Sequence, residues 1–311
     1  MGRINNREME IKKVSHLAGH NSAVYCISES ALPNIIYTGG ADQVVIEWDL
    51  SGGHQPKIIS DVKAIVYSLC FIPEKNYLII GESKGGIHVL DLKEKREIKF
   101  FVQTLLAIFD IKYSPANKCF YSASWDGSIS AWSLEDLTLI KNIPLCKEKI
   151  RAININSTET LMAIACGDGT IRIFNLQTLE EIQKLDAHQG STYSVKFHPN
   201  GRYLLSGAKD AMLNIYDIKK SCELIKSIPA HNYAIYSIVF SPDEKLFATA
   251  SRDKTIKIWN ADTFEIIKRI DKDKLEGHNN SVNKLLWSRY KDYLISTGDD
   301  RMVMVWEFTP E

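Results

Sequence analysis

His231 to Asn260 reads HNYAIYSIVFSPDEKLFATASRDKTIKIWN. Three short runs rich in Ile, Val, Phe, Thr and Ala are separated by Ser241-Pro242-Asp243-Glu244 and by Arg252-Asp253-Lys254. Apolar runs of this length bounded by turn-forming residues predict three antiparallel strands. The stretch decides the fold because it recurs.

With Asp253 as marker, the equivalent positions are Asp42, Lys84, Asp126, Asp168, Asp210, Asp253 and Asp300, at intervals of 42, 42, 42, 42, 43 and 47 residues. Six residues on stand Trp48, Leu90, Trp132, Phe174, Tyr216, Trp259 and Trp306, so each copy ends its third strand on a large apolar side chain. Twenty-two residues back stand His20, Val62, Thr104, Cys146, His188, His231 and His278. Seven copies account for nearly the whole chain. Copy two departs furthest, with Lys84, Leu90 and Val62 in the three marked places, yet its strand pattern survives.

Met9 to Leu17 (MEIKKVSHL) precedes His20 where the other copies place a fourth, outer strand, such as Glu223 to Ile228 before His231. The chain therefore begins with the last strand of a unit whose other three strands lie at the C-terminus. Pairing the two ends closes a ring and covers an edge that would otherwise be open. Residues 1–8 are polar and expected to be flexible, residues 9–308 to form one domain, and 309–311 a short tail. Asp271-Lys272-Asp273-Lys274 is the one sizeable insertion and reads as a solvated loop.

At this point the residues resemble the WD40 repeat. The pairs Gly19-His20 and Gly277-His278, their variants Ala187-His188 and Ala230-His231, and the terminal pairs Trp48-Asp49, Tyr216-Asp217, Trp259-Asn260 and Trp306-Glu307 carry the likeness. Seven in-phase copies imply an all-β, seven-bladed WD40 β-propeller closed by an N-terminal strand in its last blade. The phrasing is most similar to compact single-propeller WD40 proteins of bacteria.

The resemblance also implies a buried polar chain in each blade, linking the histidine, the turn aspartate, a serine or threonine on the second strand and the tryptophan. The expected members are His20, Asp42 and Trp48; Asp126 and Trp132; His188 and Asp210; His231, Ser251, Asp253 and Trp259; and His278, Asp300 and Trp306. The full set falls in blade six alone, because Gly40 and Gly298 occupy the place of Ser251 in blades one and seven. Such pairs are expected to serve architecture, since catalysis needs access to substrate.

In the same family, the first residues of the innermost strand and those before the turn aspartate rim the narrow mouth of the channel. Here these include Tyr25, Tyr67, Phe109, Arg151, Tyr193 and Tyr236, with Trp125, Lys209 and Arg252. Aromatic rings and arginine commonly dominate interface energies. The expected site takes a peptide or protein loop that combines apolar and acidic groups; the alternative is that the rings only pack between blades or narrow the channel.

Composition bounds the rest. The 311 residues are 45% hydrophobic and 24% charged, with 38 basic against 38 acidic side chains. Zero net charge argues against general nucleic-acid affinity, although rings interleaved with Arg151, Lys209 and Arg252 would suit single-stranded RNA. No run of apolar residues is long enough to cross a membrane as a helix, and the N-terminus lacks an apolar leader. Six scattered cysteines without a C-x-x-C pair read as reduced thiols, and no histidine spacing suggests a metal site. The expectation is a non-catalytic cytoplasmic scaffold, monomeric by itself within a larger complex, with other proteins or peptides as partners, no cofactor and no metal. An RNA-binding subunit and a channel-sited enzyme stand as the alternatives.

Overall fold

The computed structural model describes residues 9–52 and 55–310, so the expectation for residues 1–8 lies outside the described residues. It consists of seven four-stranded antiparallel sheets. Blade one comprises residues 24–61, blade two 66–102, blade three 108–144, blade four 150–186, blade five 192–229 and blade six 235–270. Blade seven combines residues 282–310 with the first strand, Met9–Leu17, which pairs with Val303–Pro310. Its last strand runs through Thr309 and Pro310, opposite Glu10 and Met9, where the sequence suggested a tail.

The burial of each strand follows from its place in the blade. In the second strands of blades one to six only the first residue is less than fully buried, as in Leu161–Cys166 and Leu246–Ser251, because neighbouring blades cover both faces. Outer strands such as Leu139–Pro144 are largely exposed, and all seven carry at least one lysine. Charge on an edge strand discourages sheet-to-sheet aggregation.

Seven apolar clusters form the core, and each bridges two adjacent blades. Trp306 and Leu285 of blade seven, for example, pack with Ile256 and Ile258 of blade six, while Leu17 and Val305 meet Trp48 and Ile46 of blade one. No blade buries its apolar faces alone, which is why the ring must close. Polar side chains on the innermost strands add links across the same boundaries: the Ile153 N–H donates to Asp110 at 2.9 Å and the Phe197 N–H to Asn154 at 2.8 Å.

The charged insertion differs from the expected loop. Lys272–Leu275 forms one helical turn whose first N–H groups are capped by Asp271, with Lys274 N–H donating to its carboxylate at 3.0 Å. Glu276, just beyond it, holds the Lys13 ammonium at 2.7 Å and so ties the insertion to the closing strand.

One irregularity recurs in every blade. The pairing of the first and second strands slips by one residue near the start of the first, leaving Tyr25, Tyr67, Phe109, Arg151, Tyr193, Tyr236 and Asn283 as the extra residues. A bulge of this kind unpairs a residue and re-aims its side chain.

Candidate protein-interaction site

Four blades contain the histidine-centred chain. In blade one, His20 Nδ1 lies 2.8 Å from Asp42 and Nε2 lies 2.8 Å from Thr38 Oγ1, which also accepts the Trp48 Nε1–H at 2.7 Å. Blade six repeats this with His231, Asp253, Thr249 and Trp259, and blade seven with His278, Asp300, Ser296 and Trp306. Tryptophan can only donate, so the hydroxyl accepts from it and gives its own proton to Nε2. The imidazole proton must then sit on Nδ1, facing the carboxylate. A single tautomer satisfies both imidazole nitrogens, the hydroxyl and the indole N–H, while Oδ1 of Asp42 in blade one stays buried without a partner.

Ser251 is not part of this chain. Thr249, two residues earlier on the same strand face, meets His231, whereas the Ser251 hydroxyl donates to the Tyr233 carbonyl at 3.0 Å. The equivalent positions Thr38 and Ser296 complete blades one and seven despite Gly40 and Gly298, so the full set is present in three blades. Blade five has His188, Asp210 and Ser206, but Tyr216 turns its hydroxyl to the Ala187 carbonyl at 3.3 Å. In blade three Gln103 replaces the imidazole, accepting from Ser122, which in turn accepts from Trp132. Blade two substitutes Glu82, whose carboxylate accepts from the N–H groups of Lys84 and Gly86.

The four histidine side chains have no solvent exposure. Burial, partly offset by the adjacent aspartate, holds His20, His188 and His231 below the ordinary imidazole value. Inside the blades these side chains link the turn aspartate to a hydroxyl on the second strand.

The bulged residues do come together. Antiparallel pairing puts the start of each first strand beside the end of the second, and hence beside the turn that carries the aspartate; all of these ends share one mouth of the ring. There Tyr25 stacks on Tyr67 at 5.2 Å, Tyr67 meets Phe109 edge-on at 5.2 Å, and Phe109 stacks on Trp125 at 5.6 Å. The Arg151 guanidinium lies between Phe109 and Tyr193, at 4.4 and 5.0 Å from the ring centres, and Tyr193 meets Tyr236 edge-on at 5.2 Å. The result is a continuous aromatic belt running from blade one to blade six, with a cation set into it.

Charge is unevenly distributed around the belt. Lys149 covers Trp125 at 4.6 Å and Arg252 lies over Tyr233 at 5.9 Å, so the cations occupy the arc of blades four to six. On the other side Asn283 donates to Asp299 at 2.8 Å and to the Val24 carbonyl at 3.0 Å. Lys209 stands exposed outside the stack. Arg151 Nε is buried without a hydrogen-bond partner.

Sequence reasoning missed part of this surface. Leu105, Leu106 and Tyr233, on the loops entering blades three and six, are 86%, 44% and 58% exposed, and Trp125 is itself 45% exposed. Leu106 and Tyr233 both stand two residues after the histidine position, and that offset would have found them.

Comparison with known proteins agrees with this architecture. A β-propeller family model described as Nucleolar protein 10-like, N-terminal domain, matches residues 89–311, and the model of the WD domain, G-beta repeat, matches residues 11–49. Protein tipD of Dictyostelium discoideum is 23% identical over 295 residues, covering 93% of this chain and 48% of tipD. The U3 small nucleolar RNA-associated protein 21 homolog of Schizosaccharomyces pombe is 28% identical over 162 residues, covering 51% of this chain and 17% of that protein. The chain thus spans about half of one relative, and its match to the other takes in less than a fifth of that protein. The crystal structure of the WD40 β-propeller domain of Doa1 superposes with a TM-score of 0.82 at 15% identity, over 97% of this chain and 98% of that one. At that identity the likeness concerns the fold alone.

Proposed function

The chain belongs to the WD40-repeat β-propeller family, and on that premise we propose that it is a non-catalytic scaffold that captures a peptide or protein loop on the aromatic belt at its mouth. The observation that carries this reading is the coincidence of the bulge with the belt: in six of seven blades the re-aimed residue is an aromatic ring or Arg151. Pre-stacked rings lose little side-chain freedom on binding, which favours affinity. Arg151, with its unpartnered Nε and the cationic arc around it, favours an acidic group among the apolar ones.

The test is an array of peptides pairing Leu and Phe with Asp and Glu, probed with the wild-type protein, with the triple variant Tyr25→Ala, Tyr67→Ala, Tyr236→Ala, and with Arg151→Glu. Binding of acidic peptides should fall by at least about tenfold in both variants, as expected on loss of interface anchors, while the melting transition shifts by only a few degrees. Unchanged binding would refute the belt as the site.

A second reading has its own support. The name of the fission-yeast relative includes a small nucleolar RNA, and rings alternating with Arg151 would also stack on unpaired bases. Affinity for single-stranded RNA that falls steeply with salt and is lost in the same triple variant would favour this reading over peptide capture. Two of the comparisons carry nucleolar names, which supports a place in a nucleolar RNA-processing assembly over the cytoplasmic one expected from sequence. A fluorescent fusion expressed in the native cell should concentrate in the nucleolus, and exclusion from it would count against that placement.

A further inference from the structure

Blade four departs from the others at the positions that matter most for the polar chain. Its histidine position holds Cys146, and Cys166 stands two residues before Asp168. The two sulfur atoms and an Asp168 carboxylate oxygen lie within 4.8 Å of one another, and both cysteines are unbonded. The thiols are unequal: Cys166 is fully buried, whereas Cys146 is partly open at the loop entering the blade.

Two chemistries could use such a group, a soft divalent cation or thiol oxidation. The Arg172 guanidinium decides between them. Held in place by Glu181, which accepts from its Nη1 at 2.7 Å, it acts on both sulfurs, and its Nε is buried without a partner. A fixed positive charge opposes a divalent ion and stabilises a thiolate. A hydrogen bond from Cys166 outweighs burial and lowers Cys146 to about 7, with the Glu148 backbone and Arg172 assisting, while Cys166 itself is pushed far up by Cys146 and by burial. One accessible, ionisable thiol backed by one buried thiol is the arrangement of an attacking and a resolving cysteine.

We propose that Cys146 and Cys166 are a reversible dithiol that hydroperoxides close to a disulfide. The Cys146 thiolate attacks a peroxide oxygen, forming an S–O bond as the O–O bond breaks. The leaving hydroxide takes up a proton and departs as water. Cys166, giving up its proton, then attacks the Cys146 sulfur; the S–S bond forms, the S–O bond breaks, and a second water leaves. Two thiols lose two electrons and one hydrogen peroxide becomes two waters. Closure ties the loop before Arg151 to the end of the blade's second strand, and it stands independently of what the belt binds.

The experiment treats the full chain with one equivalent of hydrogen peroxide, counts free thiols and maps peptides under non-reducing conditions. Free thiols should fall from the six present in the chain by two, with a single new linkage joining the segments that carry residues 146 and 166, lighter by two hydrogen atoms and reversed by dithiothreitol. Cys166→Ser should stop the reaction at a Cys146 sulfenic acid that dimedone traps. Cys146→Ser should leave residue 166 unreacted. Cys146 should alkylate about tenfold faster at pH 7 than the other cysteines, and Arg172→Gln should slow it. Six surviving thiols, a linkage elsewhere, Cys146 oxidised while Cys166 stays free, or one equivalent of zinc retained by the purified protein would each overturn the proposal.

Discussion

Replacing Asp253 with alanine lowers the stability of the propeller by about 3–5 kcal/mol, the range for removing one partner of a buried ionic hydrogen-bonded group. The Asp253 carboxylate accepts from His231 Nδ1 at 2.9 Å, from the N–H groups of Asn232 and Thr255 at 3.0 Å each, and from the Thr255 hydroxyl at 2.6 Å. All four donors lose this acceptor together, and His231, with no exposed side-chain surface, is left with the Thr255 hydroxyl 3.2 Å from its Nδ1. The internal control is Asp126, whose carboxylate among the described residues serves only the N–H and hydroxyl of Ser128, so that Asp126→Ala should cost about 1 kcal/mol. Thr249→Val should fall between them, at about 2–3 kcal/mol, by orphaning His231 Nε2 and the Trp259 N–H, and Ser251→Ala should cost about 1 kcal/mol. Urea midpoints of the four variants check the order. Equal losses at Asp253 and Asp126, or a larger loss at Ser251 than at Thr249, would show that the histidine-centred chain does not organise the blade.

Acidification weakens the ring before its carboxylates titrate in the unfolded chain. His20, His188 and His231 are held below the ordinary imidazole value in the folded protein, first by burial and against the pull of Asp42, Asp210 and Asp253. Below about pH 6.5 the unfolded chain therefore binds protons that the folded chain refuses, and stability falls as pH falls. Each histidine contributes at most about 1.4 kcal/mol per pH unit, so the three together give a limiting slope of about 4 kcal/mol per unit down to their folded values. A second loss begins near pH 4. Burial opposes ionisation of Asp253 and Asp300, but His231 and His278 together with the Thr255 hydroxyl and the neighbouring backbone N–H groups outweigh it and keep both carboxylates below their ordinary range, so their contribution is present above that range and lost beneath it. Denaturation midpoints should decline steadily from pH 6.5 to 5, more steeply than between 8 and 7, where the lowered Cys146 thiol also makes the unfolded chain bind more protons than the folded one. A flat profile to pH 5 would mean that the imidazoles are protonated within the intact blades.

Legibility in the sequence followed physical periodicity. The spacing of Asp42, Asp126, Asp168, Asp210, Asp253 and Asp300 sets the number of blades, and Met9–Leu17 reads as the closing strand because an unpaired final sheet is untenable. Other features had no comparable signal. Thr249 and Ser251 face the same way on one strand, and only the reach of the imidazole separates them. The stand-ins Gln103 and Glu82 lie one and two residues off register, where a fixed offset does not look. Cys146 and Cys166 are twenty residues apart in the chain and meet only because a loop returns to its own blade. The belt residues were found by position, but the reason they share a mouth is a one-residue slip in strand pairing, a backbone property that side-chain pattern does not encode.

The seam between Met9–Leu17 and Val303–Pro310 also sets how the molecule yields to load. Met9 stands opposite Pro310 and Leu17 opposite Val303, so tension applied across residues 9 and 310 enters at the same end of the pair. The ladder then parts like a zip, one rung after another, rather than resisting as a block. Traction on these two ends opens the ring at low force.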